Sequence, residues 1–432
     1  MARFLVRSIV STIVTILFVS IVLFVLLDAV GSERVINRVL GVFATAEQKA
    51  SFKNQLGLDE PIWIRYSDWL LGSDWRAEQH TNYEIVTAPN PTTGESQWWA
   101  NVDGQLMRWR LEGEDLIALI RQEDGTTVPQ TANEFWQTDG DVETFWGVDT
   151  ENRVVLWQRG GGEPVYVITE AGLRQEGDGP RDYIPLRKGM VRLDPGISSE
   201  TRRPVAVTLL PRLRNTLILA GLAFVFIMPL ALLLGIIAGI NEGKFSDRLI
   251  SITSLAATAT PEFVTGIFLI LILGIWLELV PAVAIFTSAN AVFENPTLLV
   301  LPLLTLTAVE LGYIVRMTRA SMVEVMGTSY IRTAIIKGMP YWRVVFRHAI
   351  RNALMAPITI MMLHVNYLVG GVVVVEAIFG YPGLGKYIYD SAIASDTNAV
   401  IAAAMVTVII AIATRLIGDL AYTYLNPRIR YA

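Results

Sequence analysis

The chain has 432 residues, of which 52% are hydrophobic and only 17% charged, with a formal net charge of −5 and a mean hydropathy of +0.44. Soluble domains carry about a quarter charged residues, so an ordinary cytosolic enzyme is excluded. The absence of cysteine removes any disulfide framework, thiolate nucleophile or cysteine-ligated metal. The apolar residues fall in runs of about twenty, each long enough to cross a bilayer core of roughly 30 Å, which indicates an all-α polytopic membrane protein.

The first run, Ile9 to Leu27, follows Arg3 and Arg7 and exceeds the roughly 7–15 apolar residues of a secretory signal. No small-x-small cleavage site follows, so residues 1–28 read as an uncleaved first transmembrane helix with a cytoplasmic N-terminus. Residues 29–75 read as helical and amphipathic. Residues 76–185 change to alternating apolar and polar positions with turn signals at Asp103-Gly104, Asp124-Gly125 and Asp139-Gly140, which predicts an inserted β-rich domain. Six of the eleven tryptophans lie between Trp98 and Trp157, as expected of a small sheet core.

Residues 186–432 supply five further spans: Thr216–Ile240, Leu249–Leu279 with a kink or break at Pro261, Thr297–Val315, Leu354–Phe379 and Ala399–Tyr424. Six spans place both termini on one side. Charge agrees: 29–211 holds 28 acidic and 18 basic side chains, whereas Arg316–Arg351 holds seven bases against Glu324. The positive-inside rule makes 316–351 cytoplasmic and 29–211 mainly extracytoplasmic; an acidic outer segment without cysteine suits a bacterial cell, and the expected location is its cytoplasmic (inner) membrane.

Catalytic chemistry is hard to assemble. Gly239–Lys244 is one residue short of a phosphate loop and has Phe245 where Ser or Thr would bind Mg²⁺. His80, His348 and His364 do not form a metal-ligand set, and no serine–histidine–acid group stands out. The expectation is no catalytic residue, no metal and no nucleic-acid partner. Intramembrane polar groups are candidates for a translocation path because desolvating them is costly: Glu310, His364 and Asn366, with Pro261 at the helix break. Helix bracing remains an equal alternative for Glu310, His364 and Asn366. Arg415 and Asp419, four apart, suit an ion pair on one helix face. Glu376 is expected to reach the membrane interface.

The informative segment is the basic loop 316–352. Gly338, Met339 and Pro340 break it into two helical pieces, making a rigid lever that another protein can grip; the bland reading is a solvated loop on anionic lipid. It resembles the cytoplasmic EAA loop of ATP-binding-cassette importer permeases in the form found in dipeptide and oligopeptide permeases of the B type. Arg332-Thr333-Ala334, Lys337-Gly338 and Arg347-His348-Ala349, Arg351-Asn352-Ala353 carry that form. Leu56-Gly-Leu-Asp-Glu-Pro61, Arg214-Asn-Thr-Leu217, Arg319-Ala-Ser-Met322, Val373-Val-Val-Glu376, Tyr381-Pro-Gly-Leu-Gly385 and Asn426-Pro-Arg-Ile-Arg-Tyr431 follow in the same order.

The resemblance covers about 1–75 and 186–432, and implies the type I importer permease fold with six transmembrane helices. It implies a second homologous permease subunit, two ATPase subunits that bind ATP and Mg²⁺, and an extracytoplasmic substrate-binding protein. This chain itself would hold no cofactor. Arg332, Thr333, Ala334, Lys337, Gly338, Met339, Pro340, Arg343 and Arg347 would couple it to the ATPases. Peptide is the implied solute, with opines, sugars and metal chelates left open. The alternatives are a receptor or sensor with a ligand-binding β-domain, and a secondary transporter resting on Glu310 and the Arg415/Asp419 pair.

Overall fold

The computed structural model describes residues 2–41, 44–162, 165–169, 172–177, 179–282, 286 and 291–425. For 2–9, 29–35, 38–39, 165–166, 168–169, 172–176, 359, 362–371 and 419–425 it describes the backbone alone. The chain divides into two compact units, one of residues 21–206 with 395–402, the other of 1–20, 207–394 and 403–432.

The first unit opens on the C-terminal part of α1 (Ala2–Leu40), which runs twelve or more residues beyond its apolar stretch. Three short helices follow: α2 (Ala46–Gln55), α3 (Ile62–Leu71) and α4 (Asp74–Thr81). Thr45 and Gln48 form a reciprocal capping box at the start of α2, which satisfies two N–H groups that the helix cannot. Then come strands β1 (Glu84–Pro89), β2 (Ser96–Val102), β3 (Gln105–Glu112), β4 (Asp115–Arg121) and β5 (Thr127–Thr131), an antiparallel meander in sequence order. Strands β6 (Gln137–Asp139), β7 (Val142–Val148), β8 (Arg153–Gly160) and β11 (Gly179–Pro185) form a second sheet in the order β11-β8-β7-β6, and β9 (Val165–Thr169) pairs with β10 (Gly172–Glu176).

The turn signals act as physical chemistry requires. Asp103 and Gly104 both adopt positive φ (50° and 86°), the two-residue turn whose twist matches the Val102–Gln105 pairing. Alternation buries Trp98, Trp109, Trp136, Phe145 and Trp157 in one core. There the Phe145 and Trp157 rings stack at 5.7 Å, and Trp109 meets Phe145 edge-on at 5.1 Å. The chain enters and leaves this region at one point. Ser73 N–H donates to the Arg187 carbonyl at 3.0 Å, and Ser73 Oγ donates to the Pro185 carbonyl at 2.6 Å.

The second unit is helical, built from most of α5 (Val205–Ile240), then α6 (Phe245–Ala259), α7 (Glu262–Leu269), α8 (Ala291–Glu294), α9 (Val300–Met326), α10 (Ser329–Ile336), α11 (Tyr341–Val344), α12 (Ile350–Ala353), α13 (Met355–Phe379), α14 (Leu384–Ile393) and the part of α15 (Thr397–Leu425) from Ala403 onward. Among the described residues four helices are long and apolar enough to span a membrane: Val10–Asp28, Val205–Ile240, Pro296–Met326 and Thr397–Gly418. A bent pair, Phe245–Ala259 with Glu262–Trp276, adds a fifth if it is one span. The break is sharp, 110°, because Pro261 lacks an N–H and forces Thr260 into extended backbone (φ −88°, ψ 127°). Helix α13 has 25 residues, but the side chains of 362–371 lie outside the described residues.

Glycines set the packing of this unit. A Cβ on Gly235 would lie 2.4 Å from Thr318 Cβ, and one on Gly239 would lie 2.4 Å from Met322 Cβ, so α5 and α9 approach with only hydrogen between them. Gly221, on the same α5 helix, has nothing within 4 Å of such a Cβ. Gly235→Val therefore lowers the thermal stability of the purified protein, overpacking costing about 1–3 kcal/mol, while Gly221→Val leaves it near wild type. Equal melting of the two variants would contradict this packing.

Candidate functional site

Helix α9 continues unbroken through Arg316 and Arg319 to Met326, where the sequence reading had already begun a loop. No glycine or proline lies between Arg316 and Gly327. Then α10 packs back, the chain reverses at Gly338 (φ 75°), and α11 leads through a wide helical turn, Val345–Ala349, into α12. The inward face is apolar: Met322, Ile331, Ala334, Val344, Ala349 and Ala353 form a buried cluster, with Ile236 and Ile240 of α5 against it. Ser321 Oγ donates to the Ala353 carbonyl at 2.7 Å, and Asn352 Nδ2 donates to Tyr330 Oη at 3.0 Å. The loop is thus seated on α5 and α9 as a small packed body.

Its outward face has a different chemistry. Ile336, Trp342 and Phe346 are 78%, 61% and 66% exposed, with Ile335 and Tyr341 also open. Arg332, Thr333, Lys337, Gly338, Pro340, Arg343 and Arg347 are exposed among them, and Met339 is half-buried. Ala334 is buried beneath this face rather than presented on it. The resemblance picked out the cations and the turn but not the aromatic and aliphatic side chains, whose signal was apolar residues inside a basic segment.

One ion pair joins α9, on which this body sits, to α6. Asp247, at the first turn of α6, is buried; Arg319 Nη2 donates to its Oδ2 at 2.8 Å, and Arg319 Nε donates to Oδ1. Gly243 N–H donates to Asp247 Oδ2 at 2.8 Å, and Ser251 Oγ donates to Oδ1 at 3.2 Å. A carboxylate at a helix N-terminus and a two-point guanidinium bond reinforce one another.

The other candidates fall apart from this face. Glu310 lies buried in α9 at 5% exposure. Pro261 is exposed at the α6–α7 break. The side chains of His364 and Asn366 lie outside the described residues, as does that of Asp419, so the Arg415–Asp419 pair does too; Arg415 itself is exposed.

Glu376 corrects an expectation: it is fully buried and does not reach an interface. After α13 the chain turns at Gly380 (φ 64°) and brings the start of α14 back onto this side chain. Gly385 and Lys386 N–H groups donate to Glu376 Oε2 at 2.7 and 3.1 Å. Thr216 Oγ1 donates to Oε1 at 2.6 Å and accepts from Leu384 N–H at 2.7 Å. Asn215 Nδ2 donates to the Pro382 carbonyl at 3.0 Å, and Tyr381 Oη donates to the Asn215 carbonyl at 2.8 Å. A Cβ on Gly383 would sit 2.0 Å from Glu376 Oε1. The Asn215-Thr216, Glu376 and Tyr381–Gly385 motifs are three parts of one polar lock.

Comparison with known proteins adds to this geometry. The sequence model of the family described as "Binding-protein-dependent transport system inner membrane component" matches residues 231–431, and that of the N-terminal membrane component matches 1–99. The oligopeptide transport system permease protein AppB of Bacillus subtilis is 33% identical over 252 residues, 58% of this chain and 80% of that protein. The dipeptide transport system permease protein DppB of Escherichia coli K12 is 31% identical over 274 residues, covering 58% and 81%. The glutathione transport system permease protein GsiC of Shigella flexneri is 34% identical, covering 56% and 76%. The chain belongs to the family of binding-protein-dependent ABC importer permeases, in the branch of the dipeptide and oligopeptide permeases. It is a transport subunit of an inner-membrane importer, not a receptor or a secondary carrier.

The Asp247–Arg319 pair lends itself to a double-mutant cycle. Asp247→Ala strands a half-buried guanidinium and costs about 1–3 kcal/mol in stability, while Asp247→Ala with Arg319→Met costs less than the two single changes summed. Additive losses on thermal unfolding would remove the pair from its bracing role.

Proposed function

We propose that the exposed face of 329–347 is the surface on which an ATPase subunit seats, and that this chain forms half of a solute pathway. A second homologous permease completes the pathway, two ATPases supply the energy, and an extracytoplasmic binding protein delivers the solute. The observation that carries the reading is an exposed apolar and cationic face on a body whose underside is packed to α5 and α9. Apolar anchors ringed by charge suit a protein groove: the anchors supply affinity and the cations set orientation.

The topology proposed with it counts α13 as a span and the α6–α7 pair as one broken span. That gives six spans, cytoplasmic termini and an extracytoplasmic 29–211 segment. Peptides, or a similar small solute, are the proposed cargo, by likeness to the peptide permeases. ATP-driven approach of the two ATPases would displace the seated loop as a unit, and α9 would carry that displacement into the bundle.

A β-branched residue in the Gly338 conformation is strained by about 1–2 kcal/mol although nothing crowds it, so Gly338→Val misplaces the turn and lowers solute uptake roughly tenfold while ATP hydrolysis and membrane insertion persist. Unchanged uptake in proteoliposomes would sink the coupling assignment. The β-rich region, whose ends meet at Ser73, is proposed to contact the binding protein. Replacing residues 76–183 with a short glycine–serine linker then weakens binding-protein association, measured by surface plasmon resonance, without unfolding the bundle; undiminished association and uptake would refute that role.

A further inference from the structure

Helix α3 carries a feature that transport coupling does not use. Its inner side is tied to the C-terminal end of the first span: Phe24 packs against Tyr66 at 5.5 Å and Trp69 at 5.6 Å, and Arg65 is ion-paired with Asp28. That attachment fixes its depth. The apolar run Ile9–Leu27, which ends just before Asp28, has 19 residues, about 28 Å of helix, which matches the hydrocarbon core. Asp28 therefore marks the core boundary, and Phe24 lies about 6 Å, or four residues, inside it. A helix that touches Phe24 with one residue and Asp28 with another straddles that boundary.

The opposite side of α3 and its surroundings are apolar and open. Trp63 is 70% exposed, Leu71 53% and Trp75 44%. The turn at 189–193 is fastened beside them, with Arg192 Nη2 donating to the Leu71 carbonyl at 2.9 Å and both of its terminal nitrogens donating to Asp74. This turn presents Val191 and Leu193, 64% and 82% exposed. Leu193 holds a positive φ of 61°, a strained conformation for a leucine that leaves its side chain pointing away from the protein. Two tryptophans and three aliphatics at the edge of the hydrocarbon are the composition of a membrane-interface belt.

We propose that Trp63, Leu71, Trp75, Val191 and Leu193 form an anchor that lies in the phospholipid headgroup–acyl boundary at the C-terminal end of the first span. On the topology proposed above this is the outer leaflet. The anchor holds α3, and the Ser73 junction that follows it, at a fixed height on the bilayer.

The absence of native cysteine makes a direct test simple. Trp63→Cys and Leu193→Cys, each spin-labelled, are compared with Leu17→Cys in the span and Thr131→Cys on β5, in the intact transporter reconstituted into phosphatidylcholine–phosphatidylglycerol nanodiscs. Collision with oxygen relative to a water-soluble nickel chelate should fall, at 63 and 193, between the values at 17 and 131. A ratio equal to that at 131 puts the face in water and overturns the anchor. Loss of collisions with both reagents means that protein covers it and overturns the anchor as well. The label at 17 reports separately on whether the first helix spans, so failure of the topology is not mistaken for failure of the anchor.

Discussion

Helix α9 is pressed against two neighbours at points where only a hydrogen fits, and much of the helical unit depends on this closeness. Gly235 and Gly239 of α5 face Thr318 and Met322, while on another side Gly312 of α9 faces the Ser254 carbonyl of α6, 2.3 Å from where a Cβ would stand. In a bilayer, packing of this kind replaces the hydrophobic drive that water would supply, because lipid tails are as apolar as leucine. The same helix then carries Arg319 to Asp247 and ends in the seated loop. Only Gly327 and Thr328 separate α9 from the first helix of that loop.

The polar lock around Glu376 follows a related logic with opposite chemistry. A carboxylate removed from water costs several kcal/mol unless its oxygens are bonded, and an α-helix start leaves N–H groups that need acceptors. Here each problem solves the other: Leu384, Gly385 and Lys386 N–H groups find Thr216 and Glu376. The glycines at 383 and 385 are required because the carboxylate and the Val373 backbone occupy the space a side chain would need. This joins α5, α13 and α14 by directional bonds that tolerate little sliding, whereas the glycine contacts of α9 are non-directional.

Much of this was legible in the residues, for reasons of periodicity and turn chemistry. Apolar runs located the long helices, Pro261 located the break, and the Asp-Gly pairs located hairpins, because each is a local constraint. The ends of helices were misjudged where hydropathy stopped but helix did not: α1 continues to Leu40, and α5 begins at Val205, eleven residues before its apolar run. Hydropathy reports the solvent around a helix, not its hydrogen bonds. Glu376 was misplaced because its partners lie 160 residues away at Thr216 and beyond a chain reversal, which no local pattern encodes. Asp247 escaped notice for the same reason, 72 residues from Arg319. The basic loop was singled out through likeness to a family, while its exposed apolar face needed coordinates to separate Ile335 and Ile336 from the buried Ile331.

The β-rich region shows how a bundle accepts a large insertion. Its two ends are held together by Ser73, which bonds the Pro185 and Arg187 carbonyls and accepts from Arg187 N–H at 2.9 Å. Gly72 and Gly189 make that approach possible, since a Cβ on either would come within 3 Å of the other strand's backbone. Closing a loop of this length costs chain entropy that grows only slowly with the number of residues, and the insertion supplies its own aromatic core against that cost. An insertion with joined ends and an independent core makes few demands on the helices on either side. The demand that remains is positional: α3 comes immediately before the junction, so whatever fixes α3 also sets where the inserted region begins.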